Sequence, residues 1–138
     1  FHTGIQRPGC DPITSLCDQT GDRVPDNPEH SFFVGATQFF EIGSTTSMFI
    51  RAEFSWLDDV MTDGNNDPLK VRDSFTNLNL RVGFNFETID TELTFWGRNV
   101  TDERFFETIF DVPIQEGKLM AYPHEPRTWG VTLRKGFN

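Results

Sequence analysis

Ser74–Glu87 reads SFTNLNLRVGFNFE, and in it Thr76, Leu78, Leu80, Val82, Phe84 and Phe86 alternate with Phe75, Asn77, Asn79, Arg81, Gly83 and Asn85. Successive side chains of a strand point to opposite faces, so the stretch predicts a ribbon with one apolar side and one wet, partly charged side. Working outward, further segments repeat the pattern. Ser31–Ile42 sets Phe32, Val34, Ala36 and Phe40 on one face, interrupted by Gln38. Met48–Leu57 places Met48, Ile50, Ala52, Phe54 and Trp56 opposite Phe49, Arg51, Glu53 and Ser55. From Thr91 to about Phe106, Leu93, Phe95 and Gly97 oppose Glu92, Thr94, Trp96 and Arg98. In Arg127–Asn138, Trp129, Val131, Leu133 and Phe137 face away from Thr128, Thr132 and Arg134.

The connections alternate in length. Gly43–Thr46 (GSTT) and Thr88–Asp90 are short turns; Asp58–Asp73, with its DGNNDP, and Glu107–Pro126 are long, turn-rich loops. Residues 1–30, with Pro8, Pro12, Pro25 and Pro28, carry no sustained period and read as one external loop, leaving 31–138 as the strand region. The expected fold is all-β: an antiparallel up-and-down meander of about five strands. Short turns at one end and long loops at the other, with strands near the ~9–11 residues that cross a bilayer at a tilt, point to part of a transmembrane β-barrel.

The two faces weigh water against lipid. A soluble sheet must pack its apolar side on a helix or a second sheet, and neither an amphipathic helix nor spare strands are legible. Lipid covers that side with no further sequence. Arg51, Glu53, Arg81, Glu92, Arg98 and Arg134 all fall on the wet side, suited to a hydrated lumen or a polar plug. Against lipid each arginine would cost about 2–4 kcal/mol near the midplane. Phe54, Leu80, Phe84, Phe95, Trp129 and Phe137 are the expected lipid-facing residues. Lys135 falls on the apolar side, but near a strand end, where its stem can snorkel.

Phe occurs 15 times against a single Tyr, and mean hydropathy is −0.44. Many aromatics in a polar chain fit strands with one oily face better than a deep two-sided core. The formal charge of −9 offers no basic stripe to replace phosphate counterions, which argues against nucleic acid. No apolar run is long enough for a membrane helix. The opening FHTGIQRPGC has neither a basic nor an apolar region of the signal-peptide kind.

Cys10 and Cys17 bracket CDPITSLC. In an oxidising compartment they are expected to close a small ring contributing about 2–3 kcal/mol, with free thiols as the alternative; zinc lacks a second Cys/His pair at a suitable spacing.

TFWGRNVTDERFF (Thr94–Phe106) and EPRTWGVTLRKGF (Glu125–Phe137) resemble the closing strands of TonB-dependent outer-membrane receptors. PDNPEHSFFVGA (Pro25–Ala36) resembles the segment of those receptors that leads from an external loop into a descending strand. The resemblance covers roughly residues 22–138. It implies a place in a barrel of about 22 strands closed around an N-terminal plug, through which TonB couples inner-membrane energy to uptake. By that resemblance the chain supplies the last five strands in a Gram-negative outer membrane, with long loops extracellular and the C-terminus periplasmic. Its partners would be the remaining strands and the plug, in the same or a separate chain, outer-membrane lipid, and TonB indirectly through the plug. The transported substrate would be a siderophore, a vitamin-like cofactor or a glycan. Five strands cannot close such a barrel, and open edges in lipid leave backbone groups unpaired. The family ends on an aromatic; here Phe137 is followed by Asn138. The alternative is a soluble or oligomeric β-barrel binding protein, its oily faces meeting inside around an apolar ligand.

Candidate sites are few. Asp58, Asp59, Asp63, Asn65, Asn66 and Asp67 are oxygen-rich, but their spacing departs from the EF-hand pattern, so a solvated loop is expected over a calcium site. His2, His30 and His124 lie scattered in loops and are read as structural or surface groups rather than metal ligands. Asn99-Val100-Thr101 is formally a glycan sequon. Glu103 with Glu107, or His124 beside Glu125, pair titratable groups without a nucleophile or phosphate loop, so neither an enzyme nor a cofactor is expected. Trp56, Phe110, Met120 and Tyr122 are candidate substrate contacts.

Overall fold

The structure, a computed structural model, describes residues 11, 13, 16, 20–64, 67–115 and 117–137. Cys10, Cys17, His2, Asn65, Asn66 and Asn138 lie outside them, so the disulfide reading lies outside them too. The strands in chain order are β1 (Ser31–Glu41), β2 (Thr46–Leu57), β3 (Val60–Met61), β4 (Val71–Arg72), β5 (Phe75–Phe86), β6 (Thr91–Arg98), β7 (Phe106–Asp111), β8 (Leu119–Pro123) and β9 (Thr128–Lys135). The chain divides into two compact units: Ser31–Leu57, Phe75–Arg104 and Glu125–Asn138 form one, and Phe1–His30, Asp58–Ser74 and Phe105–His124 the other.

The first unit is a five-stranded antiparallel sheet in the order β1-β2-β5-β6-β9, open at β1 and β9. This is the expected meander. Its register carries the alternation of single strands across the whole sheet. Ala36, Ala52, Leu80, Gly97 and Trp129 make one row; Gln38, Ile50, Val82, Phe95 and Val131 the next; Phe40, Met48, Phe84, Leu93 and Leu133 a third. A slip of one residue at any seam would turn a strand's apolar set over, so five independent patterns agreeing in register is a strong constraint. Gln38 sits in an apolar row with its amide folded back onto the Phe39 carbonyl at 2.9 Å. Lys135 ends the apolar side, its ammonium donating to the Ile89 carbonyl in the neighbouring turn.

At the short-turn end, Gly43 takes a φ of 90° and Asp90 one of 45°, the left-handed geometry that lets each hairpin reverse tightly. The Glu87 amide donates to the Thr45 carbonyl at 3.0 Å and ties the two turns together.

Two expectations need correction. The fourth strand of the sheet ends at Arg98, not near Phe106, because Asn99 turns to a φ of 46° and Asp102 to 57°. The two long loops also contain strands. β3 and β4 pair through Val60↔Arg72 and Met61↔Val71, and β7 and β8 form a hairpin with a bulge near Phe106. These strands are too short, and their faces too mixed, to announce themselves by period. The second unit contains them, and it holds the buried apolar residues of the described chain, Val60 and Met61.

Candidate functional site

The opposite face of the sheet carries the chemistry. The register sets Arg51, Arg81, Trp96 and Gly130 in one row, Phe49, Gly83, Thr94 and Thr132 in the next, and Ser47, Asn85, Glu92 and Arg134 beyond. Of these, Arg51, Arg81, Trp96, Phe49, Thr94, Thr132, Glu92 and Arg134 join Glu53, Asn79 and Arg98 in lining a groove of about 510 Å³ on this polar face. Arg51, Glu53, Arg81, Glu92, Arg98 and Arg134, which the sequence grouped, are all brought into it.

Cross-strand filling shapes the groove floor. The Phe49 ring lies over Gly83 and the Trp96 indole over Gly130, each the register partner, so that any Cβ at these glycines would overlap the ring. Such pairs let aromatic rings lie flat on the sheet and leave space above the strands. Trp96 Nε1 donates to Thr132 Oγ1 at 3.1 Å, and Thr94 Oγ1, nearly buried, donates to Glu92 Oε1 at 3.0 Å.

The charges pair unevenly. Arg51 bridges Glu53 at 2.6 Å, Arg134 reaches Glu92 at 3.6 Å, and Arg98 reaches Glu125 at 3.7 Å while lying 5.4 Å over the Trp96 ring. Arg81, on the central strand and directly opposite Arg51, has no carboxylate within 4.0 Å among the described residues.

On the other face, Phe54, Leu80, Phe84, Phe95 and Trp129 share the apolar side, with Trp129 laid over Gly97. Phe137 lies beyond the end of β9, off the sheet. That face is open: Trp129 is 64% exposed and Leu133 67%, and Phe32, Val34, Ile50, Phe95 and Val131 are exposed with them. A contiguous apolar surface of this kind marks an interaction site with lipid or protein.

Where β6 ends, Asn99 builds a buried knot and is 2% exposed. Its Nδ2 donates to the carbonyls of Glu103 at 2.9 Å and Glu125 at 3.0 Å; its Oδ1 accepts from the Glu103 amide at 3.0 Å. Its own amide donates to Asn79 Oδ1 at 3.0 Å. Both Nδ2 protons are engaged, so the sequon asparagine presents no free amide to a glycan.

The second unit holds a charged centre that sequence reading missed. Lys70 has a fully buried side chain, and its ammonium donates to Asp63 at 2.6 Å and Asp111 at 2.5 Å. Burial pushes this ammonium down, but the hydrogen bonds and charges of Asp111 and Asp63 outweigh it and the pKa stands above the ordinary 10.5. Thr62 Oγ1 lies 2.8 Å from the Lys70 carbonyl and accepts from the Ile109 amide at 3.1 Å, tying the residues just after β3 and just before β4 to β7. No pattern marks Lys70 in advance, since it lies in a loop that reads as solvated.

The acidic run is engaged in the same way. Asp59 pairs with Arg23 at 2.5 Å, Asp58 Oδ2 lies 3.3 Å from His30 Nδ1, and Asp67 caps the Leu69 amide at 3.0 Å. The hydrogen bond from Arg23 holds the Asp59 carboxyl below its ordinary range. His124 Nδ1 meets Glu107 at 2.8 Å, with its ring stacked 4.3 Å from Phe105, while Glu125 turns to Arg98. Among the described residues no three His, Cys, Asp or Glu side chains converge. Phe110 and Tyr122 come together at 5.5 Å, and Met120 pairs with Phe110 across the hairpin; Trp56 lies on the apolar face of β2. Comparison of the chain with protein families, with curated proteins and with solved structures gives no match.

Proposed function

We propose that the chain is the C-terminal part of a TonB-dependent outer-membrane receptor, supplying barrel wall for energy-coupled uptake of a siderophore, a vitamin-like cofactor or a glycan. The observation that carries this reading is the division of the sheet into two unlike faces. The groove lies on the polar side of the five-stranded sheet, lined by four arginines and two glutamates, while the apolar side is exposed on the back. A sheet curling toward a hydrated lumen with lipid behind it has this polarity. A soluble barrel built around an apolar ligand needs the reverse, with the oily face inside.

Supporting features are the open edges at β1 and β9 and the uneven connections. On this reading the missing strands pair at both edges, the plug meets the polar face, and TonB acts through the plug. Removing the exposed apolar side from water then falls to lipid, at roughly 25 cal/mol per Å².

Brominated lipids test the reading. The full chain, reconstituted in vesicles, should show strong bromine quenching of Trp129 and little of Trp96. A monodisperse, detergent-free monomer at neutral pH, with neither residue reached by the quencher, would overturn it and favour the soluble barrel.

A further inference from the structure

We infer that the grooved polar face contains an oxyanion-binding site centred on Arg81, with Arg51 as its second guanidinium, for a small carboxylate- or phosphate-bearing ligand. Each of the other groove arginines has a carboxylate within reach, whereas Arg81 has none among the described residues. Its register partner is Arg51, and like charges directly opposite on a sheet repel. An oxyanion between them converts that repulsion into two charge-assisted contacts, and the planar guanidinium fork suits carboxylate and phosphate alike.

The setting is a binding site in size and sign. A groove of about 510 Å³ falls within the ~300–1,000 Å³ typical of small-molecule sites. Its lining carries four arginines against two glutamates, in a chain whose formal charge is −9. A positive concavity in an acidic molecule concentrates anions locally. Trp96, laid flat over Gly130 with Arg98 5.4 Å from the ring centre, holds a cation–π pair beside the charge. The inference does not rest on the membrane reading, because the charges of this face are the same whatever covers the other side.

The test is calorimetric titration of the full chain in nonionic detergent at low salt, with tricarballylate in one arm and inorganic phosphate in the other. Saturable binding is expected in at least one arm, weakening as salt rises; the tighter arm identifies the oxyanion. R81Q should weaken it at least tenfold and R51Q less. R81K should retain part, keeping charge without the fork. R104Q, an exposed arginine outside the groove, should bind like the unmodified chain. The Trp96 indole N–H resonance should move with the same midpoint, and an unchanged circular dichroism spectrum should show that R81Q is folded. Equal affinity in folded R81Q and the unmodified chain, or no saturable binding of either probe, would overturn the inference and leave the lipid-quenching test standing.

Discussion

Lys70 and Asn99 illustrate how a few buried polar side chains hold irregular backbone in place. The Lys70 ammonium is buried, but its partners Asp63 and Asp111 keep 34% and 60% of their side chains exposed. Removing the lysine therefore leaves carboxylates that water can reach, whereas neutralising both carboxylates leaves a buried charge without a counter-charge. K70M should cost about 1 kcal/mol and the double variant D63N/D111N about 3 kcal/mol or more, read by denaturant titration of the Val60 and Ile109 methyl resonances. The pH dependence follows from the same groups. The raised Lys70 pKa means its contribution is whole below about 10.5 and is lost as pH rises through the folded value. The lowered Asp59 pKa means its contribution is whole above about 3.8 and is lost as pH falls through the folded value. Between these limits the two groups predict a flat response of the same methyl resonances, and R23Q should remove the acid-side change contributed by Asp59. N99A removes three side-chain hydrogen bonds and leaves the Glu103 amide without its acceptor; a loss of about 2–3 kcal/mol in unfolding titrations is expected.

Among the elements, the sheet strands were legible and the loop strands were not. Ser74–Glu87 announces β5 almost to the residue because alternation over a dozen positions has no competing reading. For β6 the residues after Arg98 still read as strand, while the left-handed Asn99 ends the ladder. The two-residue β3 and β4 have no period to read, and the six-residue β7 is followed closely by Pro113 and Gly117. The glycines of the sheet yield a test at this scale. G83A and G130A would drive a Cβ into the Phe49 and Trp96 rings, destabilising by about 1–3 kcal/mol. At Gly35 a Cβ would meet Phe33 at an ordinary 3.6 Å, so G35A should leave the unfolding midpoint nearly unchanged.

For the whole molecule the open sheet imposes a parity rule. β1 and β9 lie four antiparallel steps apart and so run in the same direction. Antiparallel pairing at both edges therefore requires an odd number of added strands. A ring of copies would join β9 to β1 in parallel at every seam; a two-copy barrel avoids this only by inverting one copy, sending its long connections to the opposite end. The receptor reading accordingly predicts that V131C chains in vesicles form no symmetric crosslink through β9, which gel mobility under oxidising conditions checks against V131S. The sequence by itself determined the all-β class, the meander and the composition of its two faces, because a period of two is a local property of the chain. Only the tertiary structure decided which face carries the groove, that Arg81 alone among the groove arginines lacks a carboxylate within reach among the described residues, and that Lys70 is buried. Those facts arise from register between strands and from side chains dozens of residues apart meeting in space, and no local pattern encodes either.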